Sequence, residues 1–332
     1  MRIRNAILAV GAALMAASAP VQAQTCAAGT TQDACYKTVD LFNFLTPQIS
    51  TALVGGSTTL GQGGVLGGFP HFALALRATA VKGTFPNIEG VGFNTGSAQN
   101  TTYVGEDQYI PMASVDGSLG IYKGFPLGVT RVGGVDLLLT GTYIPTVPDG
   151  GEVTMSLPGG STKFGAGIRL GLLQESILVP GVSFSWVQRS LPTISVAGKS
   201  TVSASGGSAP GEFSMNDLAL KTSSWRISAS KAFLIFGLQA GVGQDKYDNS
   251  VALHVTVRPQ APLPQQTVDV SASNTMTRTN IYAGFSLNFF IGKLVVEAGQ
   301  VSGGSLPTAR NTFGSDAAAS RGYFSLGLRT GF

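Results

Sequence analysis

The sequence predicts an all-β fold: an antiparallel transmembrane β-barrel of about ten strands, with twelve to fourteen as alternatives. A short helical and glycine-rich segment precedes the barrel. Only 11% of the 332 residues are charged although 43% are hydrophobic, whereas soluble domains carry about 25% charged residues. Past the N-terminus, no apolar run reaches the roughly 20 residues of a transmembrane helix. Such a chain can enter a membrane only as a closed barrel.

The N-terminus has the three parts of a secretory signal peptide. Arg2 and Arg4 form a basic region, residues 6–17 are apolar and rich in alanine, and Val21-Gln22-Ala23 offers a cleavage site between small residues. A membrane anchor is a weaker interpretation because the apolar stretch is too short to span a bilayer. We therefore predict that residues 1–23 are removed on export and that the mature chain begins at Gln24.

Residues 24–70 do not alternate and are predicted to form a separate segment. Apolar residues in 36–53 recur with a helical period, interrupted by Pro47, and residues 55–68 (GGSTTLGQGGVLGG) are too rich in glycine for a regular element. Two arrangements remain open: a periplasmic tail with a linker, or a plug folded into the barrel mouth.

The cysteines of this segment are predicted to form a disulfide. Cys26 and Cys35 are the two cysteines of the chain and lie close together. The segment is expected to be periplasmic, and in that oxidising space a disulfide is favoured. We predict no metal site, since His71 and His254 are far apart in sequence and complete no ligand cluster.

The barrel is predicted to occupy residues 71–332. Apolar and small polar residues alternate in its strands, so that one face suits lipid and the other the lumen. Short connections alternate with longer ones, as expected for periplasmic turns and outer loops. An extra hairpin within residues 82–109 would give twelve strands. The ten predicted strands are residues 71–81, 110–122, 131–143, 162–173, 178–198, 213–230, 234–258, 267–289, 294–301 and 319–332.

Seven charged residues are predicted to face the lumen, because an Arg or Lys on the lipid face costs about 2–4 kcal/mol at mid-bilayer. A buried arginine needs a carboxylate or water. We therefore expect contacts between Glu297 and Arg329 and between Asp116 and Arg77, or contacts of arginines with the glycine-rich segment. The predicted lumen charges are Arg77, Asp116, Asp136, Arg169, Arg226, Glu297 and Arg329.

The sequence predicts neither catalysis nor a cofactor. No serine or acidic residue is tied to His71 or His254 by a recognisable motif, so both are expected to be ordinary polar residues. The formal net charge of +4 is small and dispersed, which argues against nucleic-acid binding.

The last strand resembles the C-terminal assembly signal of bacterial outer-membrane barrels. Phe324, Leu326 and Leu328 alternate with polar or small residues, and the chain ends on Phe332. The resemblance implies an outer-membrane location, contact with outer-membrane lipid and recognition by the barrel-assembly machinery.

A further resemblance covers most of the mature chain. Residues 116–125 (DGSLGIYKGF) and 133–138 (GGVDLL) are similar to a pattern in a family of uncharacterised outer-membrane barrels. The layout also resembles long-chain fatty-acid transporters, which place a plug before the barrel, although that family has more strands and an Asn-Pro-Ala signature absent here. These resemblances imply a narrow channel or transporter for a small solute, with a hydrophobic solute as one candidate. A structural or surface-interaction barrel that presents its outer loops is the alternative.

Overall fold

The computed structural model of the protein describes residues 26–29, 31–86, 92–95, 97–144, 153–204, 207–257, 265–289 and 291–331. The predicted signal peptide and Phe332 lie outside these ranges. The described residues contain one α-helix, α1 (Gln32–Val54). No helix in these ranges is both long enough and apolar enough to span a membrane.

Fifteen strands follow the helix. In chain order they are β1 (Phe72–Pro86), β2 (Gly92–Asn94), β3 (Gly105–Tyr122), β4 (Phe125–Leu127), β5 (Thr130–Val132), β6 (Gly134–Tyr143), β7 (Val153–Ser156), β8 (Thr162–Leu173), β9 (Gly181–Ser190), β10 (Ile194–Ala204), β11 (Gly207–Ala232), β12 (Phe236–Val257), β13 (Gln266–Phe289), β14 (Gly292–Ser302) and β15 (Arg321–Gly331).

Ten of these strands close into an antiparallel barrel. Their order around the wall is β1, β3, β6, β8, β9, β11, β12, β13, β14 and β15, and β15 pairs with β1 to complete the ring. Closure leaves the wall without an open edge, so its backbone groups are satisfied within the sheet. The predicted fold class and the count of about ten wall strands are confirmed.

Three details differ from the prediction. The predicted strand 131–143 is two strands: β5, which pairs with β4 in a separate two-stranded sheet, and β6 in the wall. The predicted strand 178–198 is two strands, β9 in the wall and β10 beyond it. Pro192 lies between them and cannot donate a ladder hydrogen bond. No additional wall hairpin occurs within the described part of residues 82–109, where β2 instead pairs in parallel with β10.

An apolar belt surrounds the barrel. On β13, the outward side chains of residues 281–289 are Ile, Ala, Phe, Leu and Phe, whereas those of residues 267–279 are Thr, Asp and Ser. The change occurs at the same height on β12, where Val242 pairs with Ile281 and Gln244 with Thr279. The nine residues of the belt on β13 match the length needed to cross a bilayer.

Three wall strands continue well past this belt. Above it, β11, β12 and β13 form a sheet to which β10 is added, and β7 and β2 pair with the other edge of β10. We call this sheet the outer body. The longer connections also lie at this end of the barrel, as outer loops do.

The N-terminal segment runs inside the barrel from the outer body to the opposite end. Cys26 and α1 pack against the outer body, whereas Gly68 lies against Lys123 at the turn end, where β1 begins. This path is that of a plug, the second of the two arrangements considered. The cysteines therefore lie at the outer end of the barrel rather than on the periplasmic side, which corrects our expectation of their position.

Residues 55–68, which we call the lumen segment, cross the lower barrel without helix or strand. Glycine is required where this segment touches the wall. A Cβ on Gly63 would lie 2.3 Å from the backbone nitrogen of Ser230, and Gly56 has a φ of +82°. Side chains at these two positions would clash or strain the backbone, which explains the composition that made this stretch unlike a strand.

Candidate functional site: wall arginines around the lumen segment

Five arginines from five wall strands converge on the end of α1 and the lumen segment. Each occupies an inward position in the alternation of its strand, which places it in the lumen. All five are buried. We call them the arginine cluster: Arg77 (β1), Arg169 (β8), Arg189 (β9), Arg226 (β11) and Arg329 (β15).

The upper part of the cluster binds the junction of α1 and the lumen segment. Arg226 Nη2 donates to the carbonyl oxygen of Val54 at 3.1 Å. Arg77 Nη1 donates to the carbonyl oxygen of Gly55, and Arg189 Nη2 donates to the Thr58 hydroxyl. Hydrogen bonds from the wall therefore hold the chain in place where the helix ends.

The lower part binds the middle of the lumen segment. Arg329 Nη1 donates to the carbonyl oxygens of Thr59 at 3.0 Å and Leu60 at 3.3 Å, and its Nη2 donates to Gln62 Oε1. Arg169 Nη1 donates to the carbonyl oxygen of Gln62 at 3.3 Å. These bonds satisfy carbonyl groups that an irregular segment cannot pair internally.

Three of the arginines also contact carboxylates. Arg77 Nε lies 2.9 Å from Asp116 Oδ2, which is the contact expected from the sequence. Asp136 accepts from Arg169 Nε at 2.9 Å and also from the backbone N–H of Leu66 at 3.1 Å. Asp136 thus links the wall to the lumen segment as the arginines do.

The expected contact between Glu297 and Arg329 is not formed. Glu297 pairs with Ser325 across β14 and β15, and Arg329 is four residues further along, about 13 Å at strand spacing. Glu297 instead accepts from the backbone N–H of Ser57 at 2.7 Å and from Gln239 Nε2. Ser57 of the lumen segment and Gln239 of the wall strand β12 are thus the partners of Glu297 in place of Arg329.

Two members of the site escaped the sequence analysis. Asp245 accepts from Arg226 Nη2 at 3.0 Å, and its inward position follows from extending the alternation of Gly241 and Gly243. Arg189 lies within a predicted strand. Val187, two residues earlier on the same inward face, is apolar, so this face was not recognised as polar.

Two acidic residues of α1 hold the outer connections in place. Asp40 accepts from the backbone N–H groups of Ala309 (2.6 Å), Arg310 (3.0 Å) and Asn311 (2.9 Å). Asp33 accepts from the backbone N–H groups of Asn94 at 2.8 Å and Gln99 at 2.9 Å. The helix thus holds two of the outer connections by hydrogen bonds to their backbone.

An aromatic stack lies beside these contacts. The ring of Phe313 is 4.8 Å from that of Phe44 on α1 and 5.3 Å from that of Tyr103. Burial raises the pKa of the Tyr103 phenol to about 12, so this hydroxyl stays protonated at physiological pH.

The remaining predicted residues lie in several places. A disulfide joins Cys26 and Cys35. The side chains of Phe324, Leu326 and Leu328 are exposed on the lipid face, and Phe332 lies outside the described residues. His71 Nδ1 bonds with the carbonyl oxygen of Gly68 at 2.9 Å.

The other histidine lies far from the lumen. His254 Nδ1 contacts Asp269 on the exposed face of the outer body. Among the described residues, no three His, Cys, Asp or Glu side chains are grouped so that they could hold a metal ion.

No protein-family model matches the chain, and no curated protein matches it either. Solved structures show similarity at low levels. The outer membrane protease OmpT from Escherichia coli is 12% identical, covers 79% of this chain and 96% of its own, and gives a TM-score of 0.38. The Ralstonia pickettii toluene transporter TbuX is 13% identical over 85% of this chain and 93% of its own, with a TM-score of 0.28.

A third similar structure is Ail, the attachment invasion locus protein of Yersinia pestis. It is 11% identical over 79% of this chain and 98% of its own, with a TM-score of 0.27. Similarity at this level transfers no activity. The closed wall, the apolar belt and the short turns at one end of this chain's own structure are those of an outer-membrane β-barrel protein.

Proposed function

We propose that the protein is a closed, non-enzymatic outer-membrane barrel that presents its outer body at the cell surface. The observation that supports this most is that α1 belongs to the hydrophobic core of the outer body. The buried cluster joins five residues of the N-terminal segment to Leu191, between β9 and β10, and to seven residues of the sheet. The five are Cys26, Cys35, Val39, Phe42 and Leu53, and the seven are Ile194, Met215, Leu218, Leu220, Val251, Leu253 and Ala272.

Removal of α1 from this core would therefore destabilise the outer body. Val39, Phe42 and Leu53 are each at most 3% exposed, and burial of one such side chain contributes about 1.5–3 kcal/mol. The carboxylate contacts of Asp33 and Asp40 with the loops would be lost as well. A helix that completes the core of the presented surface is a poor candidate for a gate.

Transport of a small solute is the second candidate, and one observation favours it. The lumen segment, unlike α1, has no helix or strand and is held mainly by side chains of the wall. Displacement of this segment alone would open the lower lumen while the outer body stayed intact. The wall there is lined by charged and polar side chains, which suit a polar solute better than a hydrophobic one.

A cross-link distinguishes the two candidates. A Cβ on Gly55 would lie 2.8 Å from Thr79 Cγ2 on β1, so cysteine side chains at these two positions would be in contact. The double variant Gly55→Cys with Thr79→Cys should therefore lock the lumen segment to the wall when oxidised. Ion conductance is measured in planar bilayers before and after oxidation, with the single variant Gly55→Cys as the control.

The closed barrel gives no openings in either redox state. Openings that occur in the reduced double variant, disappear on oxidation and persist in the single variant would contradict the closed barrel and support transport through a mobile lumen segment.

A further inference from the structure

The hairpin formed by β4 and β5 lies at the turn end of the barrel, which faces the periplasm. Its two strands form a sheet of their own, apart from the wall, whereas the connections at residues 174–180 and 233–235 contain no strand. The hairpin is thus an additional element that closure of the wall does not require. Its paired residues are Phe125 with Val132, Pro126 with Arg131 and Leu127 with Thr130.

The two faces of the hairpin differ in polarity. Cross-strand partners point to the same side of a sheet and successive residues to opposite sides, so Phe125 and Leu127 share one face. Their partners Val132 and Thr130 lie on that face as well, whereas Arg131 lies on the other. Phe125 is 64% exposed and Leu127 is 59% exposed. One face is therefore mainly apolar, and the other carries a cation.

The apolar face of the hairpin continues the lipid face of the wall. The ring of Phe125 lies 5.5 Å from that of Tyr122 at the end of β3. Tyr122 pairs with Val135, and Val135 pairs with Leu170, whose side chain is exposed on the lipid face. Because paired residues share a face, Tyr122 and Phe125 lie on the side of the barrel that contacts lipid.

The adjacent turn at residues 174–180 presents apolar side chains beside the hairpin. The backbone N–H of Gln174 donates to the carbonyl oxygen of Arg131 at 2.8 Å, so this turn lies against β5. Ile177 and Leu178 in the turn are 93% and 80% exposed. Large apolar side chains in such numbers are seldom left in water and are typical of an interaction surface.

The hairpin also carries two cations without a carboxylate partner. Lys123 is exposed, and Arg131 Nη1 donates to the carbonyl oxygen of Gly124, the residue that follows Lys123, at 3.5 Å. Neither cation forms an ion pair within the described chain. Glu175, in the adjacent turn, accepts from Ser230 Oγ at 3.1 Å instead. Positive charge therefore lies beside the apolar face without compensation.

We propose that the hairpin of β4 and β5 lies in the headgroup region of the periplasmic leaflet and binds an anionic phospholipid. Phe125 and Leu127 insert among the acyl chains, and Lys123 and Arg131 bind the phosphate. A lipid fits better than a periplasmic protein because the apolar face continues the lipid face of the wall and both unpaired charges are opposite in sign to phosphate. The inference does not depend on what the outer body presents.

The first test measures the depth of the hairpin in the membrane. The two native cysteines are joined in a disulfide, so Leu127→Cys and Pro126→Cys each provide a free thiol for a nitroxide spin label. Pro126 is the matched control because it is exposed on the opposite face. In vesicles of phosphatidylcholine and phosphatidylglycerol, we expect oxygen to relax the label at position 127 and a water-soluble nickel complex to relax the label at position 126.

Relaxation of both labels mainly by the nickel complex would overturn the proposal. The hairpin would then project into the periplasm, where a protein partner would be the better explanation of its exposed apolar face.

The second test measures lipid selectivity. Phosphatidylglycerol or phosphatidylcholine is titrated into the folded protein in detergent micelles, and bound lipid is counted by native mass spectrometry. We expect tighter binding of phosphatidylglycerol, and binding weakened about fivefold or more in the double variant Lys123→Gln with Arg131→Gln, which loses two cations near the phosphate. The control is Lys199→Gln with Arg310→Gln, which removes two exposed cations from the outer end and should leave the affinity unchanged.

Two results of this titration would contradict the proposal. One is equal affinity of the wild-type protein for the two lipids, and the other is an equal change of phosphatidylglycerol affinity in the two double variants.

Discussion

Arg226 of β11 donates to the carbonyl oxygen of Val54, the last residue of α1, at 3.1 Å, and the same nitrogen lies 3.0 Å from Asp245 Oδ1. The contact joins the wall to the point where the helix ends and the lumen segment begins. Above it the plug is held by apolar packing in the outer body. Below it the plug is held by hydrogen bonds from wall side chains.

Reversal of charge at Arg329 should weaken the lower part of the plug. Arg329→Glu places a carboxylate against the carbonyl oxygens of Thr59 and Leu60, and disruption of a buried charged network costs about 3–5 kcal/mol. The free energy of unfolding is measured by urea titration in micelles. Arg329→Lys, which keeps the charge but loses the planar fork, should lose less. Equal stability of wild type and Arg329→Glu would contradict the described contacts.

Truncation of Phe42 should destabilise the outer body. Phe42 is 2% exposed in the cluster shared by α1 and the sheet, and Phe→Ala in such a core costs about 3–5 kcal/mol. Phe164→Ala is the matched control, since Phe164 is 81% exposed on the lipid face and should lose much less. Unfolding is followed by urea titration in micelles. A similar loss for both variants would argue that α1 does not complete this core.

Removal of the Asp40 carboxylate should free the loop between β14 and β15. Each hydrogen bond to a charged group contributes about 1.5–3 kcal/mol, so Asp40→Ala should speed cleavage by trypsin after the exposed Arg310 by about tenfold or more. Asp316→Ala, in the same loop, should leave the rate near that of wild type. Unchanged cleavage in Asp40→Ala would show that the helix does not hold the loop.

Deletion of Phe332 should lower the yield of folded barrel in the outer membrane, because this residue ends the predicted assembly signal. Phe332→Tyr retains an aromatic terminus and serves as the control. Folded protein is quantified by heat-modifiable migration of isolated outer membranes. Wild-type levels of folded barrel after the deletion would contradict the prediction that Phe332 ends an assembly signal.

Wall architecture was predictable because each element of it has a local signal. Alternation places Ile281 and Phe285 outward and Arg278 and Asn280 inward without knowledge of the neighbouring strands. The alternation of short and long connections then orders the strands. Ten wall strands and the inward positions of four arginines therefore followed from the sequence: Arg77, Arg169, Arg226 and Arg329.

Partners of the inward charges were less predictable. The pair of Arg77 and Asp116 lies on adjacent strands and follows from closure of the barrel. The partner of Arg329 does not, since its height relative to Glu297 depends on register to within four residues. The lumen segment has no periodicity of its own. Its position could therefore not be predicted without knowledge of the wall residues that bind it.

Cysteine labelling tests directly whether the N-terminal segment runs through the barrel from its outer end. Ala28 is exposed there, Ser305 is exposed in an outer loop, and Lys123 is exposed at the opposite end. Cysteine variants of these three residues are treated on intact cells with a membrane-impermeant maleimide. We predict labelling of Ala28→Cys and Ser305→Cys but not of Lys123→Cys, and labelling of Ser305→Cys alone would contradict the threaded plug.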